Sequence, residues 1–79
     1  MTGPITITHS TEENSREIWR LAALDDRRAP SAPVLLAYVG GELRAAVGIV
    51  DGRTVADPFH RTAELVEILQ FQARKEVAA

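Results

Sequence analysis

Two glycine-containing dipeptides divide residues 34–59 into three short runs, and this pattern restricts the possible folds more than any other part of the chain. The dipeptides are Gly40-Gly41 and Asp51-Gly52. Such pairs accept the positive φ angles that two-residue hairpin turns require. Two of them in succession predict an antiparallel meander of three strands.

The first predicted strand, residues 34–39, is apolar on both faces. A strand of this kind is buried on both sides, so we expect it between helices or between a helix and a partner. In the second strand, alternation predicts that Leu43 shares a face with Ala45, Val47 and Ile49. Gly48 on the opposite face predicts the close approach of another element. Residues 53–57 alternate weakly, which is typical of an edge strand.

A short strand and a helix are predicted before the meander. Residues 5–8 alternate between apolar and polar side chains, as in a strand. Ser10 lies three residues before Glu13, the spacing of a capping box at the start of a helix. The following helix has an apolar face with Trp19 at its flank, where we expect the indole in the core. The residues of that face are Ile18, Leu21 and Ala22.

A second amphipathic helix is predicted over residues 63–76. Asp57 and Thr62 are both candidates for its N-cap, and we prefer Thr62 with a turn before it. Phe71 lies outside the apolar stripe, either as a solitary exposed aromatic residue or as a contact for a partner. The stripe consists of Leu65, Val66, Ile68, Leu69 and Ala73.

Together these elements predict an α+β fold in which an antiparallel sheet of three to four strands packs with two helices, in the order β-α-β-β-β-α. We expect one domain over residues 1–79, with a loose start at residues 1–4 and a proline-bearing connector at residues 26–33. A chain of 79 residues buries only about 60% of its unfolded surface. Without cysteines it has no disulfides, and domains of this size often gain stability by associating.

Composition excludes several classes of partner. The net charge of −2 gives no electrostatic basis for binding nucleic acid. No apolar run approaches the roughly 20 residues of a membrane span, and the first residues do not resemble a signal peptide. We therefore expect a soluble, cytoplasmic protein without a nucleic-acid or membrane partner.

Residues with catalytic or metal-binding chemistry are few and scattered. His9 and His60 lie in different predicted turns, and neither has a second ligand at metal spacing. The chain lacks a nucleophile-elbow motif and a glycine-rich phosphate loop. Its glutamates fall on predicted solvent faces, where no desolvated acid–base pair can form. We expect no catalytic, cofactor or metal site, and no enzyme.

The element order, and two segments within it, resemble the N-terminal half of a GNAT-type N-acetyltransferase over roughly residues 5–77. Residues 33–48, PVLLAYVGGELRAAVG, resemble the hairpin of that family, in which a strand ends in a glycine turn. Residues 55–61, VADPFHR, resemble the strand end that leads into its cofactor loop. The resemblance implies a GNAT-like half-domain.

The same resemblance argues against acetyltransferase activity. In that family a glycine-containing loop at a helix N-terminus brings backbone N–H groups to the pyrophosphate of acetyl-CoA. Here Arg61 is followed directly by Thr62, Ala63 and Glu64, and no glycine occurs after Gly52. Side chains would fill the space of the pyrophosphate, and Glu64 would repel it.

Our leading hypothesis is a non-catalytic interaction module that forms a homodimer, because a last strand without a successor exposes unpaired backbone groups. The residues expected to line this contact are Arg53, Val55, Phe59 and Phe71. A second hypothesis is a CoA-binding protein or remnant acyltransferase subunit with its phosphate site near His60, Arg61 and Thr62. A third is an accessory subunit or antitoxin-like partner of another, unidentified protein.

Overall fold

The computed structural model of the protein describes residues 3–78 and confirms the predicted α+β fold. Four strands form one antiparallel sheet in the order β1-β2-β3-β4, with two helices against it. A single 3₁₀ turn, Glu12–Asn14, precedes the first helix. The elements are β1 (Ile5–His9), α1 (Ser15–Leu24), β2 (Val34–Val39), β3 (Glu42–Gly48), β4 (Thr54–Ala56) and α2 (Ala63–Ala78).

The helices pack on opposite faces of the sheet and create two apolar cores. On one face Leu35, Ala37 and Val39 of β2 contact α2, whereas Val34 and Leu36 face α1. The two-faced apolar pattern of β2 therefore reflects a position between two helices. The α2 core comprises Leu35, Ala37, Val39, Ala45, Val47, Leu65, Leu69 and Ala73. The α1 core comprises Ile18, Leu21, Ala22, Val34, Leu36, Ala46 and Val55.

A β-bulge interrupts the pairing of β2 with β3. Ala37 pairs with Ala45 but Tyr38 pairs with Leu43, so Arg44 is the extra residue. A bulge reverses the alternation of side chains beyond it. Leu43 consequently packs with the α1 core while Ala45 packs with the α2 core. The prediction that Leu43 and Ala45 share a face was wrong for this reason.

The two glycine-containing connections differ. Gly40 and Gly41 both have positive φ, +60° and +86°, and join β2 to β3 as a two-residue turn. The second connection is longer than predicted, because β3 ends at Gly48 and β4 begins at Thr54. There Asp51 Oδ1 accepts a hydrogen bond from Arg53 N–H at 2.9 Å, and Oδ2 accepts one from Ser31 N–H at 2.9 Å.

Another part of the chain approaches Gly48 closely, as the sequence predicts. A Cβ atom at this position would overlap the carboxylate of Asp51 and would lie 3.1 Å from the Cβ of Pro30. The absence of a side chain at Gly48 thus allows Asp51 to join the proline-bearing connector to the β3–β4 connection.

The start of α1 differs from the prediction. Asn14 Oδ1 accepts a hydrogen bond from Thr11 N–H at 2.8 Å, so Thr11 and Asn14 replace Ser10 and Glu13 in the first turn. Ser10 instead continues the β1–β2 pairing. Its N–H donates to Val34 O at 2.7 Å, and its Oγ accepts from Val34 N–H at 3.1 Å.

Some of the apolar residues predicted to lie in the core are buried and others are exposed. Ile18, Leu21 and Ala22 of α1 are buried, but Trp19 is 67% exposed, so the expectation that Trp19 lies in the core was wrong. Helix α2 begins after Thr62 as predicted and buries Leu65, Leu69 and Ala73, while Ile68 stays half exposed. Within residues 3–78, no helix has both the length and the apolar character needed to cross a membrane.

The expected loose start at residues 1–4 falls partly outside the described residues. Residues 1 and 2 are not described. Pro4, just before β1, is bonded to the β2–β3 turn, because its carbonyl oxygen accepts a hydrogen bond from Gly40 N–H at 3.0 Å.

Candidate functional site

Strand β1 lies at an edge of the sheet, away from the main contacts of both helices. The main contacts of α2 are with β3 and β2, and those of α1 are with β3 and β4. Every side chain of β1 is exposed, including two isoleucines, Ile5 at 53% and Ile7 at 38%. A strand with exposed β-branched apolar residues at a sheet edge is a candidate surface for another chain.

The outer edge of β1 presents backbone hydrogen-bonding groups. Ser10 N–H and the carbonyl oxygen of Pro4 point inward to β2. In an antiparallel strand the direction of these groups alternates along the chain. The N–H and C=O groups of Ile5, Ile7 and His9 therefore point outward, and in the described part of the chain no strand lies beyond β1 in the sheet.

A shallow apolar hollow of about 260 Å³ lies between β1 and α2. Ile7 pairs with Ala37, whose side chain belongs to the α2 core, so Ile7 is on the α2 face of the sheet. The half-exposed Ile68 of α2 lines the same hollow. At one end, His9 Nε2 lies 2.6 Å from Glu76 Oε1, and this contact links β1 to α2. The residues that line it are Ile7, Thr8, His9, Leu35, Ile68, Gln72 and Glu76.

The opposite edge, β4, is short and partly protected by the protein itself. Asp57 N–H points inward and donates to Arg44 O at 2.8 Å, so the neighbouring Ala56 N–H points outward. That outward group donates to Asp25 Oδ2, at the end of α1, over 3.1 Å. A side chain 31 residues away in sequence thus satisfies a backbone group that the prediction left open for a partner.

The four residues predicted to line the contact do not form one surface. Val55 is fully buried in the α1 core, so its side chain is not available to a partner. Arg53 and Phe59 are exposed. Phe71 is exposed on α2, on the other side of the sheet from the core that contains Val55, and Lys75 Nζ lies 4.9 Å from its ring centre. Ile5 and Ile7 were not predicted from the sequence to form a contact surface. The available signal was the alternation of apolar and polar residues in a short strand without acidic or basic residues at 5–8.

A polar cluster that includes the bulge residue Arg44 is built around Asp57, whose side chain is only 7% exposed. Arg44 Nη1 donates to Asp57 Oδ2 at 2.9 Å, and Asp57 Oδ1 accepts from Phe59 N–H at 2.9 Å. Arg44 also contacts Glu42, and His60 Nε2 lies 3.8 Å from Asp57 Oδ2. Because both carboxylate oxygens already have partners, we interpret this cluster as a tie between β3 and the turn after β4.

Tyr38 is engaged in a similar way on the α1 face. Its hydroxyl donates to Glu17 Oε2 at 3.0 Å and accepts from Asn14 Nδ2 at 3.3 Å. Burial, the hydrogen bond to Glu17 and the charge of Glu17 all raise the pKa of Tyr38 above its ordinary value. The phenol therefore stays protonated at neutral pH and holds α1 to the sheet.

The hollow at the start of α2 contains the residues of the second hypothesis. Arg61, Thr62, Ala63 and Glu64 line a volume of about 450 Å³. No cluster of three or more His, Cys, Asp or Glu side chains that could hold a metal ion occurs among residues 3–78.

Comparisons of the chain with models of protein families, with curated proteins and with solved structures find no match.

Proposed function

We propose that this protein is a non-catalytic interaction module that associates with a second copy of itself through an edge of its sheet. The observation that carries the proposal is the exposed β1, an edge strand whose side chains are all exposed and with which neither helix makes its main contacts. Its outward backbone groups and its isoleucines offer a second chain both hydrogen bonds and apolar contact.

The small size of the domain supports association as well. The core on each face of the sheet contains only seven or eight buried residues, and domains of this length commonly gain stability from a partner subunit. A two-fold arrangement would join two sheets at equivalent edges and remove both edges from solvent. We propose a homodimer with a GNAT-like half-domain in each subunit and no acetyltransferase activity, since the chain after Gly52 has no glycine for a phosphate loop.

Sedimentation velocity over a dilution series from high micromolar to nanomolar concentration tests the proposal. We expect the weight-average sedimentation coefficient to fall from a dimer value to a monomer value on dilution. A monomer at every concentration contradicts self-association. Recovery of a different protein from native extract, in place of a second copy, would favour the role of accessory subunit or antitoxin-like partner.

A second candidate function is CoA binding at the hollow next to α2. The first turn of a helix offers unpaired N–H groups to a phosphate, and Arg61 adds a positive charge. Against it, Glu64 lines the same hollow and repels anions. Calorimetry with acetyl-CoA tests this: heat of binding that is lost in Arg61→Ala and kept in Arg53→Ala supports it. The absence of heat at millimolar ligand contradicts it.

A further inference from the structure

We infer that the second copy pairs antiparallel with β1, with the two-fold axis at Ile7. In this register Ile7 lies opposite Ile7 of the second copy, and Ile5 lies opposite its His9. This inference rests on the proposed self-association and specifies the edge and the register through which it occurs.

The hydrogen-bonding groups of the edge are self-complementary in this register. Ile5, Ile7 and His9 each direct one N–H donor and one C=O acceptor outward, and the three residues are symmetric about Ile7. In an antiparallel pair, two residues of this kind exchange both bonds. A shift of two residues in either direction would leave one of the three without a strand partner. The centred register is thus the one in which every outward group of β1 is used.

The side chains agree with the backbone. Ile5, Ile7 and His9 lie on the α2 face, because they pair with Val39, Ala37 and Leu35. The two-fold axis is perpendicular to the sheet, so both α2 helices lie on the same face and flank the paired isoleucines. On the other face Thr6 lies opposite Thr8 of the second copy. Apolar pairs and threonine pairs are both favourable across neighbouring strands.

Charge and protection also favour β1 over β4. His9 is the one ionisable side chain in β1, and in this register it lies opposite an isoleucine, so no like charges are brought together. Edge strands that avoid association usually carry lysine, proline or a bulge, or are very short. The described β1 pairs with β2 over five residues without a register shift and contains neither lysine nor proline. In contrast β4 has three residues, with one outward N–H bonded to Asp25.

Disulfide crosslinking tests the register directly, because the chain has no cysteines and each introduced thiol is unique. Opposed Cα atoms in a hydrogen-bonded pair are about 5.5 Å apart, within the range that a disulfide spans. We expect Ile7→Cys to form a covalent dimer in oxidised glutathione at a concentration where the wild type is dimeric. Val50→Cys, in the exposed β3–β4 connection, is the matched control for random collision.

The outcomes distinguish this inference from the proposed function. If Ile7→Cys crosslinks no faster than Val50→Cys while the wild type still dimerises, the register is wrong and self-association stands. If Arg53→Cys crosslinks instead, the interface lies near β4. If the wild type is a monomer, both proposals fail.

A second pair of variants tests the same register with Ile7 left in place. Thr6 and Thr8 of the second copy form a non-hydrogen-bonded pair with Cα atoms about 4.5 Å apart. A mixture of Thr6→Cys and Thr8→Cys proteins should therefore crosslink more than either variant alone. Equal crosslinking of the mixture and the separate variants would overturn the centred register.

Discussion

The two edges of this sheet differ in how they meet solvent. At β4, the carboxylate of Asp25 bonds to the outward Ala56 N–H, and Val55 is buried beneath α1. At β1, every side chain is exposed, and both helices have their main contacts elsewhere in the sheet. The position of a strand in the sequence therefore does not decide which edge is open. The placement of the helices over the sheet decides it.

Truncation of a buried side chain at β4 should destabilise the protein more than truncation of an exposed side chain at β1. Val55→Ala should lower the free energy of unfolding by about 2 kcal/mol, because it removes buried methyl groups and leaves a cavity. Ile7→Ala should lower the stability of the monomer by less than half of that, since Ile7 is partly exposed. Urea denaturation at a concentration where the wild type is monomeric measures both. Equal losses would mean that β1 is as well packed as β4.

A charge on the open edge should weaken association without changing the fold. Ile7→Lys places like charges opposite each other in the proposed pair, so we expect the dissociation constant to rise about tenfold or more, or about 1.4 kcal/mol. Val50→Lys is the control with the same change of charge. Sedimentation equilibrium gives the constants. An unchanged constant for Ile7→Lys would exclude β1 from the interface.

Removal of the Asp25 carboxylate should make the protected edge more like the open one. Asp25→Ala leaves the Ala56 N–H without its partner, and we expect a loss of about 1 kcal/mol in stability. Asp25→Asn retains a side-chain oxygen and should lose less. Hydrogen exchange of the Ala56 amide, measured by NMR, should accelerate in the alanine variant. Unchanged exchange in Asp25→Ala would show that this bond does not protect β4.

The smallest effect concerns the connection that leads into β4. Burial raises the pKa of Asp51, but hydrogen bonds from Ser31 N–H and Arg53 N–H and the charge of Arg53 together bring it below its ordinary value. A carboxylate with a lowered folded-state pKa stabilises the protein above its unfolded pKa, about 3.9. This stabilisation is lost as the pH falls through the folded-state pKa.

We therefore expect the wild type to lose slightly more stability than Asp51→Asn between about pH 6 and pH 3, since asparagine does not titrate. Urea denaturation of both proteins at the two pH values gives the comparison. The effect should be small because Asp51 is exposed. Equal losses in both proteins would mean that these hydrogen bonds do not depend on the ionised carboxylate.

Much of the fold could be predicted from local patterns. Gly40-Gly41 indicates its turn because positive φ angles belong to those residues themselves. The continuous apolar run of β2 reports burial on two faces, and the period of α2 reports its buried stripe. Each of these signals is contained in a few consecutive residues.

The errors concern interactions between distant parts of the chain. The bulge at Arg44 depends on how β2 and β3 align, and periodicity within β3 does not reveal it. Ser10 has the spacing of a cap, but Val34 competes for its hydroxyl across 24 residues. The open edge was assigned to β4 because nothing near Ala56 in sequence identifies Asp25 as its partner. The candidate site at β1 was also missed because it depends on residues distant in sequence: the exposure of Ile7 is set by the position of α2.

The position of β3 between the two helices has a consequence for the order in which the structure opens. Both helices contact β3, whereas β1 is joined to the body by β2, by Ser10 and by the His9–Glu76 contact. In the monomer, amides of β3 should exchange with solvent only in global unfolding, and the β1 amides that point to β2 should exchange through a local detachment of that strand. Protection from hydrogen exchange that declines from β3 towards β1 would show that this edge strand detaches without unfolding of the rest.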